Sequence, residues 1–345
     1  MSAPVVDRIR EGIEEKRSRL SEWLEAANPE GRARALGPMA ESAVQAHLAQ
    51  LDLAVERSHS GELGLCEVCH EPVNNELLEV DYTASVCLEH LSEAQLRDLE
   101  RELQLAQGVQ RELLPQEVPD VPGLQIAAYS RPAQIVSGDF FDFYRFEDGR
   151  TGVVVADVAG HGLSASLHMA GLQSLLRAML PTSRSPAEVL SRIHKLFRHN
   201  FRFTTFVSVF LMAVDPNRRE LSYVNAGHNP PALVRPNSGQ GAGLTWLMPT
   251  GPALGLTEEA EYTERMVPFG DGDMLTLYTD GIPESFDLKG EQFGQDRLEA
   301  LFRRAAPAPA PEAVRIVREA LQAFVGENPL SDDITLIVLR GTARR

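Results

Sequence analysis

Five aspartates in this 345-residue chain stand at the ends of apolar runs. Asp139 follows Ser137-Gly138 and precedes Phe140-Phe141, and Asp157 closes Val153-Val154-Val155-Ala156. Asp280 closes Leu275-Thr276-Leu277-Tyr278-Thr279 and precedes Gly281, and Asp332-Asp333 open Ile334-Thr335-Leu336-Ile337-Val338. Aspartate is a poor strand former, and an unpaired buried carboxylate costs several kcal/mol. Strand ends brought together would gather these acids into one cluster, and its self-repulsion calls for cations. Hard carboxylate oxygens suit Mg2+ or Mn2+. Two such ions, about 3.5–4 Å apart, lower the pKa of a shared water and clamp a phosphoryl oxygen. Each acid also has a plainer reading. Asp280-Gly281 is a common turn, and Asp332-Asp333 suits a turn or a charged strand edge. Asp157, ahead of Gly160-His161-Gly162, is the least turn-like of the set.

A second group has softer donors. The chain has three cysteines, and with one histidine they read Cys66-x2-Cys69-x17-Cys87-x2-His90. That spacing predicts one structural Zn2+ held by three thiolates and an imidazole. The alternative is a set of buried free cysteines beside an incidental histidine. Three cysteines cannot pair fully into disulfides, so the expected compartment is the reducing cytoplasm. Met1 to Lys16 is charged early and has no apolar signal core, which fits that expectation.

Other chemistries are missing from the chain. It contains no G-x-x-x-x-G-K-[ST] phosphate loop, no G-x-S-x-G elbow, and no cysteine beyond residue 87 to act as a nucleophile. His161 and His228 each follow a glycine in a loop-like segment. Each could be a general acid or a hydrogen-bonding brace, and the brace is expected because a metal-activated water needs no histidine base. Asn225 and Asn229 are read as loop-shaping. The net charge of −16 excludes a phosphate-neutralising surface, so neither nucleic acid nor an anionic membrane is expected as a partner.

The elements that must position these residues follow from periodicity. Val6 to Leu24 and a stretch through Val44, Leu48, Leu51 and Val55 read as a helical hairpin broken at Asn28-Pro29-Glu30-Gly31. Ser92 to Leu114 reads as one helix, with Ser92 and Gln95 as a capping box and Pro115 as its stop. Leu96, Leu99, Leu103, Ala106, Gln110 and Leu113 form its apolar seam, which suits either packing on its own domain or a short coiled coil between two copies. From Pro119 onward the texture is β-like. Strands are expected at 124–129, 140–146, 153–158, 205–214, 221–225, 232–235, 262–269, 274–279 and 334–339. Helices are expected at 163–180, 186–199, 296–304 and 312–325, and a loop at 235–243. Consecutive strands with paired helices predict an α+β fold, antiparallel sheets with helices packed outside. The domain boundaries expected are 1–91, 92–118 and 119–345.

Five segments carry a resemblance. Ser137-Gly138-Asp139-Phe140-Phe141-Asp142, Val155-Ala156-Asp157-Val158-Ala159-Gly160-His161-Gly162, Tyr223-Val224-Asn225-Ala226-Gly227-His228-Asn229-Pro230, Leu277-Tyr278-Thr279-Asp280-Gly281 and Ser331-Asp332-Asp333-Ile334-Thr335 resemble the PPM metal-dependent Ser/Thr phosphatases. Within them the pattern is similar to the bacterial SpoIIE/RsbU branch, over about residues 105–341. The resemblance implies a β-sandwich flanked by helix pairs and a centre of two Mn2+ or Mg2+ ions. By analogy Asp157 bridges both metals and the Val158 carbonyl is a further ligand. Asp139, Asp280 and Asp332 complete the set, and Asp142 and Asp333 are supporting or alternative ligands. The family often has Gly-Gly-Asp where this chain has Ser137-Gly138-Asp139, and Pro-Ala-Ala where it has Ser164-Ala165-Ser166; no carboxylate is lost.

Residues 40–92 resemble the DksA/TraR-type zinc finger, with His90 where a cysteine is usual. Together these resemblances imply a phosphatase acting on a phosphorylated STAS-type anti-sigma-factor antagonist, regulated by an N-terminal zinc-finger module and dimeric through its linker helix. Two alternatives differ in class. One is a catalytically silent binding module, and the other a regulator that binds RNA polymerase through the finger.

Overall fold

The computed structural model describes residues 13–14, 17–18, 21, 40–73, 85–160, 162–200, 206–235 and 243–343. Most of the expected first hairpin helix, the break at Asn28–Gly31, His161 and the loop at 236–242 lie outside them. The chain divides into two compact units, Met1–Glu102 and Leu103–Arg345.

In the first unit, α1 spans Ala40–Ser60. Ile13, on a described helical turn, is buried with Leu51, Ala54 and Leu63. The chain then forms a tight knuckle in which Leu65 bridges Pro72, and a 3-10 turn covers Leu88–His90. α2, Glu93–Leu113, begins here and runs into the second unit. Its start is a reciprocal capping box: the Gln95 backbone N–H donates to Ser92 Oγ, and the Ser92 N–H donates to Gln95 Oε1.

The second unit is a four-layer sandwich. One sheet has the order β2 (Asp139–Arg145), β3 (Thr151–Val158), β4 (Val207–Asp215), β5 (Glu220–Ala226), β8 (Arg265–Pro268). The other has the order β1 (Leu124–Arg131), β10 (Ile334–Gly341), β9 (Met274–Tyr278), β6 (Ala232–Arg235), β7 (Gly243–Trp246). Every pairing between these strands is antiparallel. α3 (Gly162–Met179) and α4 (Pro186–Asn200) cover the first sheet, and α5 (Gly294–Ala305) and α6 (Ala310–Val325) cover the second.

This layering explains why strands such as β3 read as unbroken apolar runs. Val154, Ala156 and Val158 pack against the helices, while Val153 and Val155 face the other sheet. A pleat of period two therefore turns Asp157 toward the space between the sheets. The same alternation turns Asp139, Phe141, Ser208, Thr279, Asp333 and Thr335 inward, and Asp142 outward beneath the helices. The apolar inter-sheet layer thus ends in polar residues at one end of the sandwich. β7 was not expected from the sequence; Gly243 starts it and pairs with Arg235. No described helix is long and apolar enough to cross a membrane.

Candidate metal centre

The polar end of the sandwich gathers the aspartates from four segments. Asp139 opens β2 and stands directly opposite Asp157, near the end of β3. Directly opposite residues of an antiparallel pair share a face, with Cβ atoms about 4.5–5.5 Å apart. From the other sheet, β9 ends into Thr279-Asp280 and β10 begins after Asp332-Asp333. Gly281 lets these two segments meet: a Cβ there would stand 2.0 Å from the Asp333 carbonyl oxygen. Gly138 serves the first sheet similarly, since a Cβ would lie 3.3 Å from the Val158 carbonyl oxygen.

Hydrogen bonds tie one sheet to the other through Asp139 and hold the ends of β9 and β10 together. Thr279 Oγ1 donates to Asp139 Oδ2 at 2.7 Å and accepts the Thr335 N–H at 2.9 Å. The Thr279 N–H donates to the Thr335 carbonyl at 3.1 Å. Thr279 and Thr335 are fully buried. Sequence reading missed both, because a strand threonine carries no distinguishing signal; only the inward register of Thr279 could have suggested it.

The carboxylates respond to burial and to one another. Burial and the neighbouring Asp157 push Asp139 well above the ordinary carboxylate range. Burial, with Asp280, Asp332, Asp333 and Glu284 nearby, raises Asp157 to about 7. Asp280 is raised to about 6 by burial, Asp332 and Glu284. Burial disfavours the charged form of each acid first, and the like charges beside it add to the shift. The donor set is all hard oxygen, so it fits Mn2+ or Mg2+ and not a soft ion. Glu284, one turn past Asp280, is a further acid at this rim that the sequence did not single out.

Asp333 and Asp142, expected as supporting or alternative ligands, are placed differently from one another. Asp333 is 7% exposed, and its oxygens are already engaged. Oδ1 accepts the Ala133 N–H, and Oδ2 accepts Ser137 Oγ–H and the Gly138 N–H, each at 2.7 Å. It acts as a brace for the loop that presents Asp139, while Asp332 is exposed beside Asp157 and Asp280. Asp142 is not at the centre at all, because three residues along a pleated strand reverses the face. It accepts Arg177 Nε at 3.1 Å and Gln173 Nε2 at 3.1 Å below α3.

The seam of α2, open between packing on its own domain and a coiled coil, packs at Gln110 within its own unit. Gln110 is buried; its Nε2 donates to the Ser137 carbonyl at 2.7 Å and its Oε1 accepts the Ser137 N–H at 2.9 Å. Gln107 reaches the Ile135 carbonyl, and Gln173 and Arg177 both donate to the Leu113 carbonyl at the end of α2. Gln110 is thus taken up within its own unit, and the exposed apolar residues at this end are Leu105 and Val109.

A family model for Stage II sporulation protein E (SpoIIE) matches residues 147–342. The chain belongs to the SpoIIE family. Asp157, Asp280 and Asp332 fall within the matched residues. Among relatives, Phosphoserine phosphatase RsbP of Bacillus subtilis is 31% identical over 186 residues, 53% of this chain and 45% of RsbP. Phosphoserine phosphatase RsbU of the same organism is 28% identical over 244 residues, 71% of each chain. The chain therefore spans less than half of RsbP. The SiaA-PP2C domain of Pseudomonas aeruginosa is 26% identical with a TM-score of 0.61, covering 72% of this chain and 99% of that domain. The second unit shares the fold of that PP2C domain, and the relatives RsbP and RsbU are phosphoserine phosphatases.

The first unit holds the second donor set. Cys66, Cys69, Cys87 and His90 bring their ligand atoms within 4.8 Å of one another, and among the described residues this is the one such cluster. Cys69 Sγ lies 3.9 Å from Cys87 Sγ, near the ~3.8 Å edge of a tetrahedron with Zn–S bonds of about 2.3 Å. His90 presents Nδ1, 3.0 Å from Cys87 Sγ and 3.8 Å from Cys66 Sγ. Burial works to raise the Cys66 thiol, but backbone N–H donors at Cys87, Cys69 and Val68 outweigh it and bring it down to about 6. A thiolate held by amides inside a knuckle is the form that ligates Zn2+.

Proposed function

We propose that the protein is a metal-dependent phosphatase that removes phosphate from a phosphoserine or phosphothreonine of a regulatory protein, with a STAS-type anti-sigma-factor antagonist as substrate. The observation carrying this reading is the convergence of Asp139, Asp157, Asp280 and Asp332 at one end of the sandwich, where burial and then the neighbouring carboxylates hold three of them above their ordinary range. Two Mn2+ or Mg2+ ions, when bound, supply an activated water and neutralise phosphoryl charge. Asp157 and Asp139 sit side by side and would hold that pair together with Asp280, Asp332 and the Val158 carbonyl. Asp333 and Ser137 keep the Asp139 loop in place while they do so. A phosphomonoester carries about −1.5 to −2 charge, so the metal-free acidic site repels it and loading governs substrate binding as well as turnover.

The reading extends to the first unit, which would hold one structural Zn2+ on Cys66, Cys69, Cys87 and His90 and act as a regulatory module of the zinc-finger kind. α2 suits transmission, since its last two turns grip the Asp139 loop through Gln110 and the α3 helix through Leu113. A homodimer through α2 would use Leu105 and Val109, one turn apart and 65% and 61% exposed. The setting proposed is the cytoplasm. The test is release of phosphate from a phosphorylated STAS protein by the full chain, with and without Mn2+. Metal-dependent release that Asp157→Asn abolishes supports the reading; equal rates for the two proteins overturn it.

A further inference from the structure

The row of inward residues that carries Asp139 and Asp157 continues. Ser208 of β4 stands directly opposite Asp157, on the same face and half-buried. Behind it is His228, 2% exposed, whose Nδ1 lies 2.7 Å from Ser208 Oγ. The imidazole is fixed from its own loop. Gly227 has φ +68°, and a Cβ there would stand 2.9 Å from the Ala253 nitrogen. The His228 N–H donates to Asn225 Oδ1, and Asn225 Nδ2 donates to the Leu247 carbonyl.

The other edge of the ring meets the second sheet. Nε2 is buried and makes no hydrogen bond, and the Tyr278 backbone is near enough to act on the ring. With the ring proton on Nε2, Nδ1 accepts from the Ser208 hydroxyl. Burial lowers His228 to about 4, which keeps the ring neutral at neutral pH. Tyr278 is two residues before Asp280. Asp157 therefore sits between two cross-sheet ties: Asp139 to Thr279 on one side, and Ser208 through His228 toward Tyr278 on the other.

We propose that the Ser208–His228 pair is a positioning strut for the metal centre, holding Asp157 and Asp280 at a fixed separation against the mutual repulsion of the carboxylates. It acts on metal affinity and touches neither substrate nor the reacting atoms. The inference rests on the metal-dependent phosphatase reading. Loss of the strut leaves the sheets joined by the Thr279–Asp139 bond, the Asp333 bonds to Ser137 and Gly138, and the apolar layer, so the fold persists while the ligand spacing relaxes. Partners that orient metal ligands typically change affinity by roughly 10–100-fold when removed.

The test uses the full chain with Ser208→Ala, His228→Gln and the double substitution. Mn2+ dissociation constants are measured by electron paramagnetic resonance of free Mn2+, and melting temperatures in EDTA serve as a fold control. The strut predicts binding weakened by about 10–100-fold in each single variant, with the double variant no weaker than the worse single one. The Ser208→Ala melting temperature in EDTA should match the unsubstituted protein. Binding by Ser208→Ala within about twofold of the unsubstituted chain, or losses that add in the double variant, overturns the strut alone. If the unsubstituted chain binds no Mn2+, the phosphatase reading fails and the strut with it.

Discussion

Asp157 faces opposite demands in the folded chain and in the working site. Its folded value of about 7 stands far above the ordinary 3.8, and burial is the first cause. A carboxyl raised in this way stabilises the fold while protonated, and that contribution is lost as pH rises through the folded value. In EDTA the melting temperature should therefore fall between about pH 4 and pH 7, and saturating Mn2+ should remove the slope. Asp157→Asn removes one of the repelling charges. It should raise the metal-free melting temperature at pH 8 and lower Mn2+-dependent turnover by about 10³-fold, the equivalent of ~4 kcal/mol. An unchanged melting temperature in EDTA would place Asp157 outside the repelling cluster. At this scale the sequence singled out the acids that the fold brings to one end of the sandwich, since an aspartate ending a run such as Val153–Ala156 has few structural reasons to be there. It did not show which of them are braces. Asp333 and Asp142 look like their neighbours until register and facing donors are known.

At the scale of elements, the centre depends on close approach between segments. The Cβ of Gly281→Ala would collide with the Asp333 backbone. Overpacking of this kind costs typically ~1–3 kcal/mol, and here the displaced segment carries Asp332. The variant should lose Mn2+ binding while keeping the far-ultraviolet circular dichroism of the sandwich. The grip of α2 is tested by Gln110→Ala, which leaves the Ser137 N–H and carbonyl without partners. A loss of about 1–3 kcal/mol in denaturant unfolding of the second unit is expected; a loss below ~0.5 kcal/mol would mean the contact carries no weight. Strands and helices of this unit were legible because buried β-runs and amphipathic helices have different periods, and Ser92 with Gln95 marked the start of α2. β7 was not, since Gly243-Leu244-Thr245-Trp246 is short and follows a glycine-rich stretch. The seam of α2 was legible as a stripe, but a stripe does not say what covers it, and Gln110 is answered by Ser137 of the same chain.

For the whole molecule, the two donor sets make separable demands on metals. The soft cluster in the first unit should hold one Zn2+ per chain after purification in metal-free buffer, by elemental analysis. Its removal by a strong chelator should melt the Cys66–His90 segment while the sandwich, with its own core, stays folded. Absence of zinc in that preparation would remove the structural-site reading. The hard cluster should exchange Mn2+ or Mg2+ freely, because all of its donors are carboxylate or carbonyl oxygen. The central claim is that oxygen donors from both sheets assemble one divalent-cation site that hydrolyses a phosphoserine or phosphothreonine. It is tested most directly by incubating the full chain with a phosphoserine-bearing STAS protein and measuring phosphate release against Mn2+ concentration. A saturable rise with Mn2+, absent in Asp157→Asn, is the predicted result. Release that is independent of Mn2+, or that survives Asp157→Asn undiminished, contradicts the account.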